Sequence, residues 1–162
     1  MEWLRGFNES CYDIDKDNGC PTDFVAVHWY GYAADLESWL KTLHDFYGTS
    51  VSRYWITEMA LPQGDEDDTL TMMNQSLTFL DAQDDVEAYA WFGAFRRDEA
   101  NAWTGDNVAL FNDHGALTEL GALYLGGSQK GFKEGMKGAG AHATVSSFVI
   151  LASLVVIITW VI

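Results

Sequence analysis

Glu58 closes the run Tyr54-Trp55-Ile56-Thr57 and is followed by Met59-Ala60, so a carboxylate stands at the C-terminal end of a buried-strand pattern. Removing a carboxylate from water raises its pKa unless donors hold the ionised form. Tyr30 and His28, in the run Phe24-Val25-Ala26-Val27-His28-Trp29-Tyr30-Gly31, are the side chains suited to that task. Glu58 is therefore the candidate reacting group; the competing reading is a Glu that leaves the sheet and pairs with a surface cation. His28 can also be read as a metal ligand or a core histidine, but no second His, Cys or Asp stands at ligand spacing. Two cysteines are too few for a zinc site. The acidic run Asp65-Glu66-Asp67-Asp68 lacks the alternating oxygens and central Gly of a calcium loop, and reads as solvated loop leading into a helix. There is no G-x-G-x-x-G and no P-loop. No metal and no cofactor are expected.

Hydrophobic periodicity supplies the elements that must position these groups. Strands are expected over Asp23–Gly31, Val51–Met59 and Val86–Phe92, the first with an apolar run suggesting burial on both faces. Trp3, Leu4 and Phe7 sit at helical spacing, and Leu36, Trp39, Leu40, Leu43, Phe46 and Tyr47 trace a helix that Gly48 is placed to end. Leu70, Met73, Leu77 and Leu80 mark another helix, and Leu117, Leu120, Leu123 and Tyr124 a last one. Strands alternating with helices give an α/β fold with parallel pairing. They belong to an open doubly wound sheet or to a portion of a (β/α)₈ TIM barrel. The barrel gains from His28, Tyr30, Glu58 and Trp91 all lying toward the C-terminal ends of their strands, where barrel enzymes hold their chemistry.

A net charge of −15 over 162 residues argues against a nucleic-acid partner, whose phosphates it would repel. The seven tryptophans serve either as flat surfaces for sugar faces or as core. Trp55, mid-strand, is expected in the core; Trp29 fits either role, and the sequence does not assign Trp103. Cys11 and Cys20 frame a short polar loop and would pair as a disulfide in a secreted protein. Asn8-Glu9-Ser10 and Asn74-Gln75-Ser76 are candidate glycosylation sequons. Residues 1–125 form the globular part, residues 126–144 read as a Gly- and Lys-rich linker, and Val145–Ile162 is an uncharged apolar tail expected as a hydrophobic helix. The small residues Gly138-Ala139-Gly140 and a spacer precede that tail, the order of a GPI signal with Gly138 as candidate attachment site. A terminal transmembrane helix is the alternative. No secretory leader opens at Met1, yet the tail, sequons and cysteines together lead us to expect a secreted, membrane-anchored protein of the cell surface or wall.

The blocks Phe24–Gly31, Trp55-Ile56-Thr57-Glu58-Met59-Ala60 and Ala90-Trp91-Phe92-Gly93-Ala94-Phe95, in this order, resemble glycoside hydrolase family 128. Ala109-Leu110, Gly115, Leu117-Thr118 and Leu120-Gly121 resemble that family's closing pattern, and the likeness runs from Trp3 to Tyr124. It implies the C-terminal part of a (β/α)₈ barrel that cleaves β-1,3-glucan with retention through two glutamates. Glu58 matches the nucleophile at the end of the seventh strand. His28, Trp29 and Tyr30 match the end of the sixth, as substrate-binding or orienting residues. Trp91 and Phe92 match the end of the eighth, where an aromatic ring serves the sugar.

The family's acid/base glutamate follows an Asn, commonly in an N-E-P sequence, at the end of the fourth strand. Glu9 is not expected to replace it. The stretch between Glu9 and His28 is too short for a βαβ unit, which takes about 30 residues or more, and Glu9 falls on the Trp3-Leu4-Phe7 helical pattern. The expected function is thus the nucleophile-bearing part of a β-1,3-glucanase, its first five strands absent from this sequence. The alternative is a non-catalytic glucan-binding surface protein tethered by the tail.

Overall fold

The computed structural model describes residues 2–138. Its elements are α1 (Glu2–Ile14), β1 (Val25–Tyr30), α2 (Ala33–Tyr47), β2 (Tyr54–Ala60), α3 (Glu66–Leu80), β3 (Val86–Trp91) and α4 (Glu119–Tyr124), with short 3₁₀ turns at Arg97–Glu99 and Gly127–Lys130. The three strands are parallel in the order β1-β2-β3. Parallel neighbours need long crossover connections, and α2 and α3 supply them.

Local chemistry explains the helix ends. Gly48, at φ +57°, stops α2 and donates its N–H to His44 O at 2.8 Å. Asp65 caps α3 by accepting from the Asp68 N–H at 2.8 Å. Glu66, Asp67 and Asp68 fill the first turn, where the helix dipole favours acids. The acidic run is therefore a cap and first turn more than a loop. Thr118 caps α4 by accepting from Gly121 N–H and donates its own hydroxyl to Ala109 O at 2.8 Å.

The helices bury one face of the sheet. Val25, Val27, Ile56, Met59 and Trp91 form a single cluster with Leu36, Leu40 and Leu43 of α2 and Met72, Met73 and Leu80 of α3. Each such side chain removed from water contributes about 1.5–3 kcal/mol. The other face carries Ala26, His28, Thr57, Glu87 and Ala90, all exposed. The expected burial of β1 on both faces is thus corrected: Val25 and Val27 are buried while Ala26 and His28 are open, because among the described residues nothing packs on that side.

The closing residues are packing devices. A Cβ on Gly93 would stand 2.0 Å from Val108 O, and one on Gly121 would stand 2.1 Å from Leu110 O. Only glycine admits that backbone approach. Cys11 lies inside α1, not at the mouth of a free loop, and its disulfide to Cys20 ties the last turns of that helix to the approach of β1. Trp3 and Phe7 stack at 5.6 Å on α1 yet stay exposed. Asn8 is half-buried on α1, and Asn74 is exposed on α3. The segment read as a linker from residue 126 is at first tied back: Leu117 N–H donates to Met136 O and Gly135 N–H to Leu117 O. Gly138 is exposed at the end of the described chain. The apolar tail Val145–Ile162, with its GPI or transmembrane reading, lies outside the described residues. Among the described residues no helix is long and apolar enough to cross a membrane.

Candidate active site

Glu58 reaches the open face through a bulge. Opposite β1, Val27 pairs with Ile56 and His28 with Glu58, so Thr57 is extra. Opposite β3, Ile56 pairs with Tyr89 and Met59 with Trp91, which again leaves β2 one residue longer. Strict alternation would send Glu58 to the same face as buried Ile56. The bulge lets Thr57 and Glu58 both face the open side and returns Met59 to the core. The Thr57 hydroxyl donates to Val27 O at 3.3 Å across the bulge.

Two side chains from the end of β1 converge on one oxygen. The Tyr30 hydroxyl donates to Glu58 Oε2, and His28 Nδ1 lies 3.3 Å from the same atom. Burial holds the Tyr30 phenol neutral far above the ordinary tyrosine range, and its hydrogen bond to Glu58 and that residue's charge add to the effect. The Glu58 side chain is 35% exposed and that of His28 55%, and the pair is ionic only when His28 is protonated. An ion pair so wet contributes under about 1 kcal/mol to stability. Its effect is orientation: Oε2 is engaged, and Oε1 has no hydrogen-bond partner among the described residues. The cation-paired alternative for Glu58 therefore gives way to a hydrogen-bonded carboxylate on the open face. No cluster of three or more His, Cys, Asp or Glu able to hold a metal occurs among the described residues.

The structure divides the expected aromatic contacts. Tyr30 meets Phe92 edge-on at 6.0 Å, and Phe92 meets Phe95 at 5.8 Å. Trp29 turns the other way: it packs against Trp39 of α2 at 5.4 Å and donates its indole N–H to Tyr32 O. Trp91 is 5% exposed in the core, its Nε1 donating to Val108 O at 2.8 Å. Neither ring stands beside Glu58, because both pair with Met59 in the ladder and share its helix-facing side. Trp55, expected in the core, lies on the open face, stacked on Phe24 at 4.4 Å and donating to Glu87 Oε2. The ring the sequence did not assign is the one at the site: Trp103, 58% exposed, meets Tyr30 edge-on at 4.6 Å. Its place after the Asn101 turn offers no periodic signal. Glu9 sits on α1, which meets the sheet at Phe24 and Val25, the opposite end of the strands from Glu58.

A parallel sheet presenting a hydrogen-bonded carboxylate and open rings at its C-terminal strand ends has the layout of a carbohydrate-active α/β protein. Residues 1–124 match the glycosyl hydrolase catalytic core, and the chain belongs to that family, with family 128 glucanases as its structural neighbours. It is similar to alkali-sensitive linkage protein 1 of Schizosaccharomyces pombe, 34% identical over 131 residues that make up 76% of this chain and 22% of that protein. Its fold resembles a GH128 subgroup VI exo-β-1,3-glucanase from Aureobasidium namibiae (TM-score 0.64, 23% identity, 78% of this chain, 49% of that one). A GH128 subgroup V exo-β-1,3-glucanase from Cryptococcus neoformans is also similar (TM-score 0.62, 27% identity, 78% of this chain, 50% of that one). The chain spans about half the length of these solved relatives and 22% of the fission-yeast protein.

Proposed function

We propose that this chain is the nucleophile-bearing part of a retaining β-1,3-glucan hydrolase whose intact form is a (β/α)₈ barrel. The observation that carries this is Glu58 on the open face with Tyr30 and His28 both on Oε2. The open face becomes the barrel interior, and β1, β2 and β3 take the places of its sixth, seventh and eighth strands. Oε1 attacks the anomeric carbon to form a glycosyl ester as the bond to the leaving oxygen breaks. A second carboxyl about 5–5.5 Å from the first gives that oxygen its proton, then takes one from the water that cleaves the ester. Tyr30 and His28 keep the carboxylate aimed. Phe92 and Trp103 offer apolar surface to the sugar.

The polar partners of Glu58 among the described residues are Tyr30 and His28, neither of them a carboxyl. This supports an acid/base group supplied from the other half of the barrel. It equally favours the second reading, a glucan-binding protein without turnover. The disulfide fits a secreted, cell-surface protein; anchoring by the tail near Gly138 and glycans on Asn8 and Asn74 are proposed from the sequence pattern. Hydrolysis of laminarin separates the two functions. The chain alone is expected to give almost none, since general acid help is worth about 10²–10⁴-fold. Joined to the complementary half of a related enzyme it should turn over; glucan binding with no turnover in the joined protein would favour the second reading.

A further inference from the structure

Gln63 is the one non-glycine residue with a left-handed backbone among the described residues, at φ +58°. It stands third in the turn Leu61–Gly64, after Pro62, where the Gly64 N–H donates to Leu61 O at 3.3 Å. That position ordinarily goes to Gly or Asn, which tolerate a left-handed backbone. A glutamine there carries strain, and strain of this kind persists where the surroundings over-determine it, often beside a functional site.

The side chain shows what over-determines it. Gln63 Nε2 donates to Ala102 O at 2.8 Å and to Trp103 O at 3.0 Å. Its backbone N–H donates to Thr104 O at 3.0 Å. One residue of the loop after β2 thus holds three consecutive carbonyls of the loop after β3. From within that second loop, Asn101 Oδ1 accepts the N–H groups of Trp103 at 3.0 Å and Thr104 at 2.9 Å. Gly105 takes a left-handed backbone at φ +77° next to the Gln63 amide. The backbone of an exposed tryptophan is thereby pinned from both sides, with its ring edge-on to Tyr30, the residue bonded to Glu58.

We propose that Gln63 is a positioning residue for glucan binding: it holds Trp103 against Tyr30 as a stacking surface for a glucosyl face beside Glu58. This rests on the glucan reading above. Glycine would satisfy the turn but leave the carbonyls of Ala102 and Trp103 unheld. Glutamate keeps the length, but its carboxylate opposes those carbonyls instead of donating to them.

The test is heteronuclear NMR of the tryptophan indole N–H signals of the full chain in mild detergent. Trp103 is assigned by the signal lost in Trp103→Phe, and laminarihexaose is the titrant. In the parent chain the sugar should shift the Trp103 signal. In Gln63→Gly and Gln63→Glu that signal should move or broaden before any sugar is added, with the other tryptophan signals in place. The affinity for laminarihexaose should fall about three- to tenfold, the range for losing one ordered aromatic contact. The unchanged signals report that the variants fold. A parent that responds while both variants respond equally, with Trp103 unmoved, overturns the role of Gln63 alone. A parent with no response to the sugar overturns this role of Gln63, while the glucan reading itself fails only if the joined protein neither binds nor cleaves laminarin.

Discussion

Deleting Thr57 should leave Glu58 where it is. The bulge makes Thr57 the supernumerary residue against both neighbouring strands. Its removal gives a regular strand in which Ile56 still faces Val27, Glu58 still faces His28 and Met59 still faces Trp29. The loss is then the hydroxyl bond to Val27 O at 3.3 Å, about 1 kcal/mol. A strand without the bulge would respond in the opposite way, since a one-residue slip exchanges the faces. Met59, fully buried, would turn out at a loss of about 1.5–3 kcal/mol, and the Glu58 carboxylate would turn in at several more. That sum would consume most of a typical domain's stability of about 5–15 kcal/mol. Urea unfolding followed by circular dichroism distinguishes the cases. A midpoint lowered slightly, with the slope unchanged, is expected. A deletion variant that no longer unfolds cooperatively would refute the assignment of the bulge.

Replacing Cys11 and Cys20 together by Ser should lower unfolding stability by about 2–3 kcal/mol, the loop-closure entropy of a ring this short, measured by the same urea titration. Trp91→Ala should destabilise by about 3–5 kcal/mol through its core cavity. Trp103→Ala should cost only about 0.5–1.5 kcal/mol, the worth of its edge-on contact with Tyr30, yet weaken laminarihexaose binding, so the two substitutions separate core from platform. Tyr30 and Tyr89 are both held neutral above the usual tyrosine range, by burial first and then by Glu58 and Asp81 respectively. The native state binds these protons more tightly than the unfolded chain. Stability is therefore fully present below the ordinary tyrosine pKa and is lost as pH rises from there toward the folded values. Burial raises Tyr47 and Tyr54 in the same direction, so phenolate absorbance should show a late-titrating group of tyrosines that loses one member in Tyr30→Phe.

What the sequence revealed and what it hid have separate physical causes. Strands and helices followed from period: Leu36, Leu40 and Leu43 recur as a helix requires, and Gly48 ends it as its φ demands. The neighbourhood of Glu58 was legible because a carboxylate closing an apolar strand needs polar partners; the Tyr30 hydroxyl donates to it, and His28 Nδ1 stands 3.3 Å away. The faces were not legible. Trp29 and Trp91 stand next to site residues in sequence but on the opposite side of the sheet, and the bulge at Thr57 has no signature in residue type. Trp55 was expected inside because it is mid-strand, yet mid-strand on an uncovered face is an open position. Trp103 and Gln63 come together through a contact between two loops, which no periodicity encodes.

Glu58→Gln in the protein joined to its complementary half tests the proposed nucleophile most directly. The amide keeps the shape of the side chain and loses the attacking oxygen. Laminarin hydrolysis should fall to background while oligosaccharide binding persists. Full turnover by the Glu58→Gln protein would contradict the assignment and leave the open carboxylate without its proposed chemistry.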